Sequence, residues 1–60
     1  MKKYIIRSIT TGYLWDGVFF VDPTVNVSWV IYPERELAEM AALKDRLRDH
    51  WVEIVEIYKN

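Results

Sequence analysis

The absence of cysteine is the feature that most restricts how this chain of 60 residues can fold. A chain of that length buries only about 60% of its unfolded surface, so small domains are often stabilised by disulfides, a structural metal or oligomerisation. Zero cysteines exclude disulfides, and one histidine, His50, falls short of the ligand set that structural zinc needs. The sequence predicts one domain over residues 1–60, without metal or cofactor, stabilised by dense packing or by self-association.

Runs of β-branched and aromatic residues predict strands in the first third of the chain. Residues 3–9 are of this kind, and residues 13–15 continue the pattern after Gly12, either as a hairpin or as one strand interrupted by a bulge. The Asp-Gly pair at 16–17 then precedes the apolar run 18–21. Asp-Gly between two apolar runs is the strongest short-range hairpin signal, so we expect strands on both sides of it.

Two further strands are predicted, one before and one after a helix. Asp22-Pro23 ends the first apolar region, because proline donates no ladder hydrogen bond and favours a turn. Residues 24–32 then alternate between apolar and polar side chains, the period of two that is typical of a strand. Residues 51–59 are apolar with a slip in their alternation, so this strand either contains a bulge or is covered on both faces.

A helix is predicted from Pro33 to Arg48. Proline suits the first helical position because its missing N–H would have no intrahelical partner there. Glutamates dominate the first turns and basic residues the last, which complements the helix dipole at both ends. Apolar residues recur at steps of three and four and predict a buried stripe, which comprises Leu37, Met40, Ala41, Leu43 and Leu47.

These elements together predict an α+β fold in the order β-β-β-α-β. The sheet is small, has three to four strands and is mainly antiparallel, and the one long helix packs on one of its faces. The largest residues of the helix stripe should meet the apolar side chains of Ile6, Val27, Ile31 and Ile54.

Residues that could carry catalytic chemistry are few. His50 lies beside Asp49 and three residues before Glu53, but no second His, no Cys and no oriented nucleophile accompanies it. An exposed position near the C-terminus of the helix, where a protonated imidazole favours the dipole, explains His50 better. With only two glycines the chain has no phosphate-binding loop. We therefore expect that the protein is not an enzyme and has no catalytic, cofactor-binding or metal-binding residues.

Charge gives little support to a nucleic-acid or membrane partner. The net charge is −1, and no apolar stretch approaches the length of a membrane span. Lys2, Lys3 and Arg7 form one basic cluster that, with nearby aromatic residues, could be a stacking platform for nucleic acid. Charges on an edge strand more often protect that edge from aggregation. The apolar run after the first lysines is too short for a secretion signal, so we expect a cytoplasmic protein.

The supply of aromatic residues exceeds what one face of a small sheet can hold. The chain contains three Trp, four Tyr and two Phe. Either the surplus forms an interface, or Tyr and Trp cap the small core with their edges. The candidate protein-interaction surface comprises Tyr4, Trp15, Phe20, Trp29, Trp51 and Tyr58. We expect a two-fold homodimer through the face or edge of the sheet, or a different protein on the same surface.

The order of the segments also resembles a group of known proteins. The chain opens with KYII, continues through GYLW, Asp-Gly, WVIYP and an ERELAEM helix, and closes with VEIVEI. It resembles the short proteins that tailed phages of Gram-positive bacteria carry in their early genes, several of which inhibit bacterial immunity, such as anti-Hachiman proteins and anti-CRISPRs. The resemblance implies an inhibitor that binds a host defence protein stoichiometrically. The alternatives are a small regulatory or nucleic-acid-binding module and a structural subunit of a larger assembly.

Overall fold

The computed structural model describes residues 1–48 and 51–58 of the chain. Its elements, in chain order, are strand β1 (Lys2–Ser8), strand β2 (Leu14–Trp15), strand β3 (Phe20–Val21), helix α1 (Arg35–Lys44) and strand β4 (Val52–Tyr58). The predicted α+β fold and its β-β-β-α-β order are confirmed. β2 and β3 are shorter than the apolar runs that predicted them.

The sheet has the strand order β3-β2-β1-β4, and each neighbouring pair is antiparallel. The longest pairing joins β1 to β4 along their whole length, in a register that places Ile5 opposite Val55. β2 lies at the other side of β1, where Tyr32 also forms an isolated antiparallel bridge with Tyr4. β1 and β2 are therefore the two inner strands, and β4 forms one edge of the described sheet.

The hairpin predicted at Asp-Gly connects β2 to β3. Its loop spans residues 16–19, and Asp16 Oδ1 accepts hydrogen bonds from the N–H groups of Val18 and Phe19 at 2.8 and 2.6 Å. Gly17 has a φ of 103°, a conformation that strains residues with a Cβ atom. The aspartate and the glycine thus each supply one requirement of the turn.

The strand predicted over residues 24–32 is wrong, because the segment contains only one isolated bridge. Asp22 starts a turn instead: its carboxylate accepts hydrogen bonds from the N–H and the hydroxyl of Thr24 at 2.9 and 2.6 Å. The N–H of Val27 then bonds to the C=O of Val25 at 2.8 Å, which turns the chain again. Alternation alone does not make a strand, because strands are stabilised by pairing with a neighbour.

α1 begins at Arg35 rather than at the predicted Pro33. Glu34 has an extended backbone, with φ −135° and ψ 146°, so it caps the helix from outside. Its C=O accepts the first helical hydrogen bonds from the N–H groups of Leu37 and Ala38, at 3.1 and 3.4 Å. Pro33 therefore precedes the cap and takes no part in the helix.

α1 ends at Lys44 rather than at the predicted Arg48. Arg46 has a φ of 58°, the left-handed conformation that commonly follows a helix. The N–H groups of Arg46 and Leu47 donate to the C=O groups three and five residues before them, at 3.1 and 2.8 Å. This Schellman arrangement closes the helix and turns Leu47 back towards the core.

The core between α1 and the sheet is a cluster of four buried side chains, Ile6, Trp15, Ala38 and Ala42. The two alanines allow the helix to approach the sheet closely, and the isoleucine and tryptophan fill the space beneath it. Leu47 and Ile54 pack against this cluster, as predicted, and Ala41 of the predicted stripe does so as well.

The predicted buried stripe is wrong for three of its largest members. Leu37, Met40 and Leu43 are 42%, 64% and 73% exposed. Val27 and Ile31, two of their predicted partners, are exposed as well, since the segment that carries them forms no strand. The bulk of the core comes from the sheet, so the helix needs only small residues on its inner face.

Candidate protein-interaction surface

Three of the six aromatic residues predicted to form an interface lie beneath the helix. Trp15 is 7% exposed, and its ring centroid is 5.0 Å from that of Phe20, with the rings tilted by 56°. Tyr4 and Phe20 pack against the same core cluster. These three aromatic side chains contribute to the stability of the fold, so a substitution at Trp15 would test folding rather than binding.

The other three aromatic residues lie elsewhere. Trp29 is half-buried and lines a shallow groove of about 190 Å³ within residues 27–31. Trp51 is 53% exposed. The side chain of Tyr58 lies outside the part of the chain that the structure describes. The structure therefore does not unite the six residues in one surface.

An apolar surface that the sequence did not predict lies on α1. Successive helical residues are about 100° apart, which places Met40 opposite the midpoint between Ala38 and Ala42. Leu37 and Leu43 lie about 60° to either side of Met40. We call Leu37, Met40 and Leu43 the outer apolar face. The alanines four residues apart were the signal that could have revealed it, because they mark the side of the helix on which a neighbour fits closely.

A groove of about 460 Å³ runs between α1 and β4. It is lined by Arg35, Glu39, Ala42, Leu43, Val52, Glu53 and Ile54. Arg35 Nε lies 3.5 Å from Glu39 Oε1, so both signs of charge are present on its helix side. Leu43 belongs both to this groove and to the outer apolar face, which makes the two surfaces continuous.

The tip of the β2–β3 hairpin also presents apolar side chains. Val18 and Phe19 are 67% and 70% exposed. Their N–H groups bind the Asp16 carboxylate, and the hydrogen bonds from Phe19 and then Val18 hold the pKa of that carboxyl below its ordinary value. The turn therefore fixes the backbone from which both side chains project.

Two of the three residues in the basic cluster are paired with glutamates of β4. Lys2 Nζ lies 3.9 Å from Glu56 Oε1, and the guanidinium of Arg7 donates a hydrogen bond to Glu53 Oε1. The hydroxyl of Tyr4 also donates to Glu56 Oε1, at 3.5 Å. These pairs reduce the positive field that a nucleic-acid backbone would require.

The residues considered for acid–base chemistry are not brought together as a described site. Asp49 and His50 lie outside the described residues, and Glu53 is engaged by Arg7. Within residues 1–48 and 51–58, no three His, Cys, Asp or Glu side chains form a group that could hold a metal ion.

Comparison of the chain with protein-family models, with curated proteins and with solved structures gives no match. Across the described ranges, no helix combines the length and the apolar character that crossing a membrane requires.

Proposed function

We propose that this protein is a non-enzymatic, homodimeric binding module of a phage, which inhibits a bacterial anti-phage defence protein by stoichiometric binding in the host cytoplasm. The outer apolar face of α1 is the observation that carries the proposal. A helix that buries alanine and exposes leucine and methionine presents its largest apolar side chains to another molecule. Anchors spaced by about one turn are typical of helices that insert into an apolar groove of a partner protein.

The amount of exposed apolar surface supports a partner of this kind. Twelve large apolar side chains are exposed among the described residues, and full burial of one such side chain contributes about 1.5–3 kcal/mol. Leu37, Met40 and Leu43 are 42%, 64% and 73% exposed, so each would contribute part of this figure and together they would offset the ordering of a few side chains at an interface. Such anchors, rather than polar contacts at the rim, supply most of the affinity of a protein complex.

The alternative partners have less support. A nucleic-acid platform at Lys2, Lys3 and Arg7 is weakened by the ion pairs with Glu56 and Glu53. The net charge of −1 also provides no long-range attraction to phosphate. A structural subunit would use the same apolar surface, but it would form open polymers by itself.

Phage plating on hosts that each carry one defence system tests the function. We expect expression of the wild-type protein to restore plating on one such host. The double substitution Leu37→Ala and Met40→Ala should abolish this effect, whereas Glu36→Ala, an exposed polar control on the same helix, should retain it. His50→Ala should also retain the effect, because the protein acts without catalysis.

Binding measurements with the identified defence protein provide the second test. We expect a fixed stoichiometry, an affinity that changes little with salt, and a large loss of affinity in the Leu37→Ala and Met40→Ala variant. Nucleic-acid binding would instead weaken steeply as salt rises, because displaced counterions are restored. The proposal fails if no defence system is inhibited, or if folded His50→Ala protein loses the inhibition.

A further inference from the structure

We propose that the outer edge of β4 is the interface of a two-fold homodimer, in which the β4 strands of two copies pair in antiparallel orientation. The two four-stranded sheets then join into one sheet of eight strands. This inference rests on the self-association included in the proposed function and assigns it to a defined surface, which is separate from the anchors Leu37 and Met40.

The hydrogen bonds of β1 establish which backbone groups of β4 point towards it. Tyr4 exchanges both of its backbone hydrogen bonds with Tyr32, at 2.9 and 2.8 Å. Tyr4 also lies opposite Glu56, so Tyr4 and Glu56 form a pair of the non-hydrogen-bonded kind. The two kinds alternate along an antiparallel ladder, so the neighbouring pair of Ile5 and Val55 exchanges ladder hydrogen bonds.

The same alternation leaves the backbone groups of Val52 and Ile54 pointing away from β1. No strand of the described residues pairs with this side of β4. The strand is seven residues long, and its sequence, VEIVEIY, contains neither proline nor lysine. Natural edge strands are commonly protected by such residues, by bulges or by a covering element. Among the described residues the outer side of β4 carries none of these protections, and an edge of this length is a template on which another strand can pair.

The two glutamates of β4 do not protect the edge, because β1 holds both carboxylates. Glu53 accepts a hydrogen bond from Arg7, and Glu56 accepts one from Tyr4 and lies within 3.9 Å of Lys2. Their charges are therefore compensated by the neighbouring strand of the same copy. The electrostatic repulsion between these glutamates and those of an approaching β4 strand is therefore weaker than it would be for unpaired carboxylates.

The residue order of β4 is complementary to itself across a two-fold axis at Val55. In an antiparallel pair of two β4 strands, the residues whose backbone groups point away from β1 must lie opposite one another. These residues alternate along the strand, so the two-fold axis passes through a residue position and not between two residues. With the axis at Val55, all seven residues of each strand are paired, and Val55 faces its own copy. Glu53 then lies opposite Ile57. Ile54 lies opposite Glu56, so no two glutamates face each other.

Other positions of the axis are less favourable. An axis at Glu53 or at Glu56 would place a carboxylate directly opposite the same carboxylate of the second copy. An axis at Ile54 would leave the last two residues of each strand unpaired. The register with its axis at Val55 pairs every residue of β4 and also keeps the glutamates of the two copies from facing each other. A second copy of this chain is therefore the partner strand that fits this edge.

The groove between α1 and β4 is placed to extend this interface. An axis perpendicular to the sheet at Val55 puts both helices on the same face of the joined sheet. Each groove then borders the paired edges, with exposed Leu43 and the opposite charges of Arg35 and Glu39 beside it. The second copy brings the same leucine and the same two charges to the groove of the first copy. Because both signs of charge are present, each charge can lie beside one of the opposite sign.

Charge substitutions at the axis provide the decisive experiment. Val55 is half-buried, and its side chain projects on the face opposite Ile54 and therefore opposite α1. Val55→Lys and Val55→Glu each place two residues of like charge opposite one another across the axis, with their Cα atoms about 4.5 Å apart. We expect each variant to weaken dimerisation at least tenfold by sedimentation equilibrium. An equimolar mixture of the two variants should recover the dimeric mass, because opposite charges then meet.

Ile57→Lys is the matched control, since Ile57 is half-buried on the same face of the same strand. In the proposed register this lysine lies opposite Glu53 of the second copy, so the dimer should be retained or strengthened. Amide exchange followed by NMR gives a direct readout of the edge. The amide of Ile54 should become protected as the wild-type concentration rises, while Val55→Lys should leave it unprotected.

Several results would overturn the inference and would leave the inhibitory function standing. These are a wild-type protein that is monomeric at high micromolar concentration, or a folded Val55→Lys variant that dimerises normally. A target protein that binds wild type but not Val55→Lys, with no dimer in its absence, would show that a strand of the target occupies the edge. Conversely, a protein that inhibits no defence system but forms a dimer that Val55→Lys disrupts would refute the function and support this interface.

Discussion

Arg46 shows how one residue determines where the helix ends. It is the one described residue other than glycine with a positive φ, and it occupies the position at which glycine usually closes a Schellman arrangement. A left-handed conformation costs a residue with a Cβ atom roughly 1–2 kcal/mol. The sequence therefore carries a local strain that the packing of Leu47 against the core compensates.

We expect Arg46→Gly to stabilise the protein by about 0.5–1 kcal/mol, because the strain relieved exceeds the entropy that glycine adds to the unfolded chain. Urea unfolding followed by circular dichroism measures the change. Lys44→Gly, within the last turn of α1, is the control and should destabilise by about 1 kcal/mol. A loss of stability in Arg46→Gly would show that the left-handed conformation is not strained.

Asp16 and Asp22 make stability depend on pH in the acid range. Hydrogen bonds from Phe19 and Val18 lower the pKa of Asp16 below 3.8, and the hydroxyl and N–H of Thr24 do the same for Asp22. A depressed folded pKa gives stability that is complete above the unfolded pKa and lost as pH falls through the folded pKa. We therefore expect the urea concentration at the unfolding midpoint to decrease as the pH is lowered below about 4. The Asp16→Asn and Asp22→Asn double variant should show a smaller fall.

At the scale of elements, the sequence predicted the Asp-Gly hairpin and the long elements β1, α1 and β4, but it misjudged which side of the helix is buried. Asp-Gly marked the hairpin because its chemistry is local. The inner face of α1 depends on what the sheet supplies, and Trp15 supplies so much volume that only Ala38 and Ala42 fit against it. Hydrophobic periodicity in one helix contains no information about the size of the residues it will meet.

The segment 24–32 illustrates the same limit for strands. Its alternation satisfies the pattern of a strand, yet only Val30 and Tyr32 form backbone hydrogen bonds with Trp15 and Tyr4 of the sheet. Whether a pattern becomes a strand depends on an available edge, which is a property of the assembled sheet rather than of the segment. Trp29 was separated from the other candidate aromatic residues for this reason, since the segment that carries it forms no strand.

The alanine face of α1 predicts contrasting effects for two substitutions. Ala38→Leu should destabilise the protein by about 1–3 kcal/mol, because Ala38 is fully buried against Ile6 and Trp15 and the added atoms have no space there. Met40→Ala should change stability by less than about 0.5 kcal/mol, because Met40 lies on the exposed side. Urea unfolding of both variants measures this difference. Equal effects of the two substitutions would contradict the assignment of the inner and outer faces.

At the scale of the whole molecule, the helix covers only one face of the sheet. The opposite face carries Ile5, Leu14, Val55 and Ile57, as their alternation with the core residues requires. Ile5 and Leu14 are nevertheless 8% and 5% exposed. A chain of this size gains most from joining a second sheet, because its core alone supplies only a few kcal/mol of stability.

If the fold is completed by pairing at β4, its thermal stability depends on protein concentration. Dimerisation stabilises the folded state by mass action, so the Tm of the wild-type protein should rise by a few degrees for each tenfold increase in concentration above the dimer Kd. Val55→Lys should show a lower Tm that is independent of concentration, since its monomers unfold without dissociating. Ile57→Lys should retain the dependence. Differential scanning calorimetry at several concentrations measures all three proteins, and a wild-type Tm that does not change with concentration would contradict pairing at this edge.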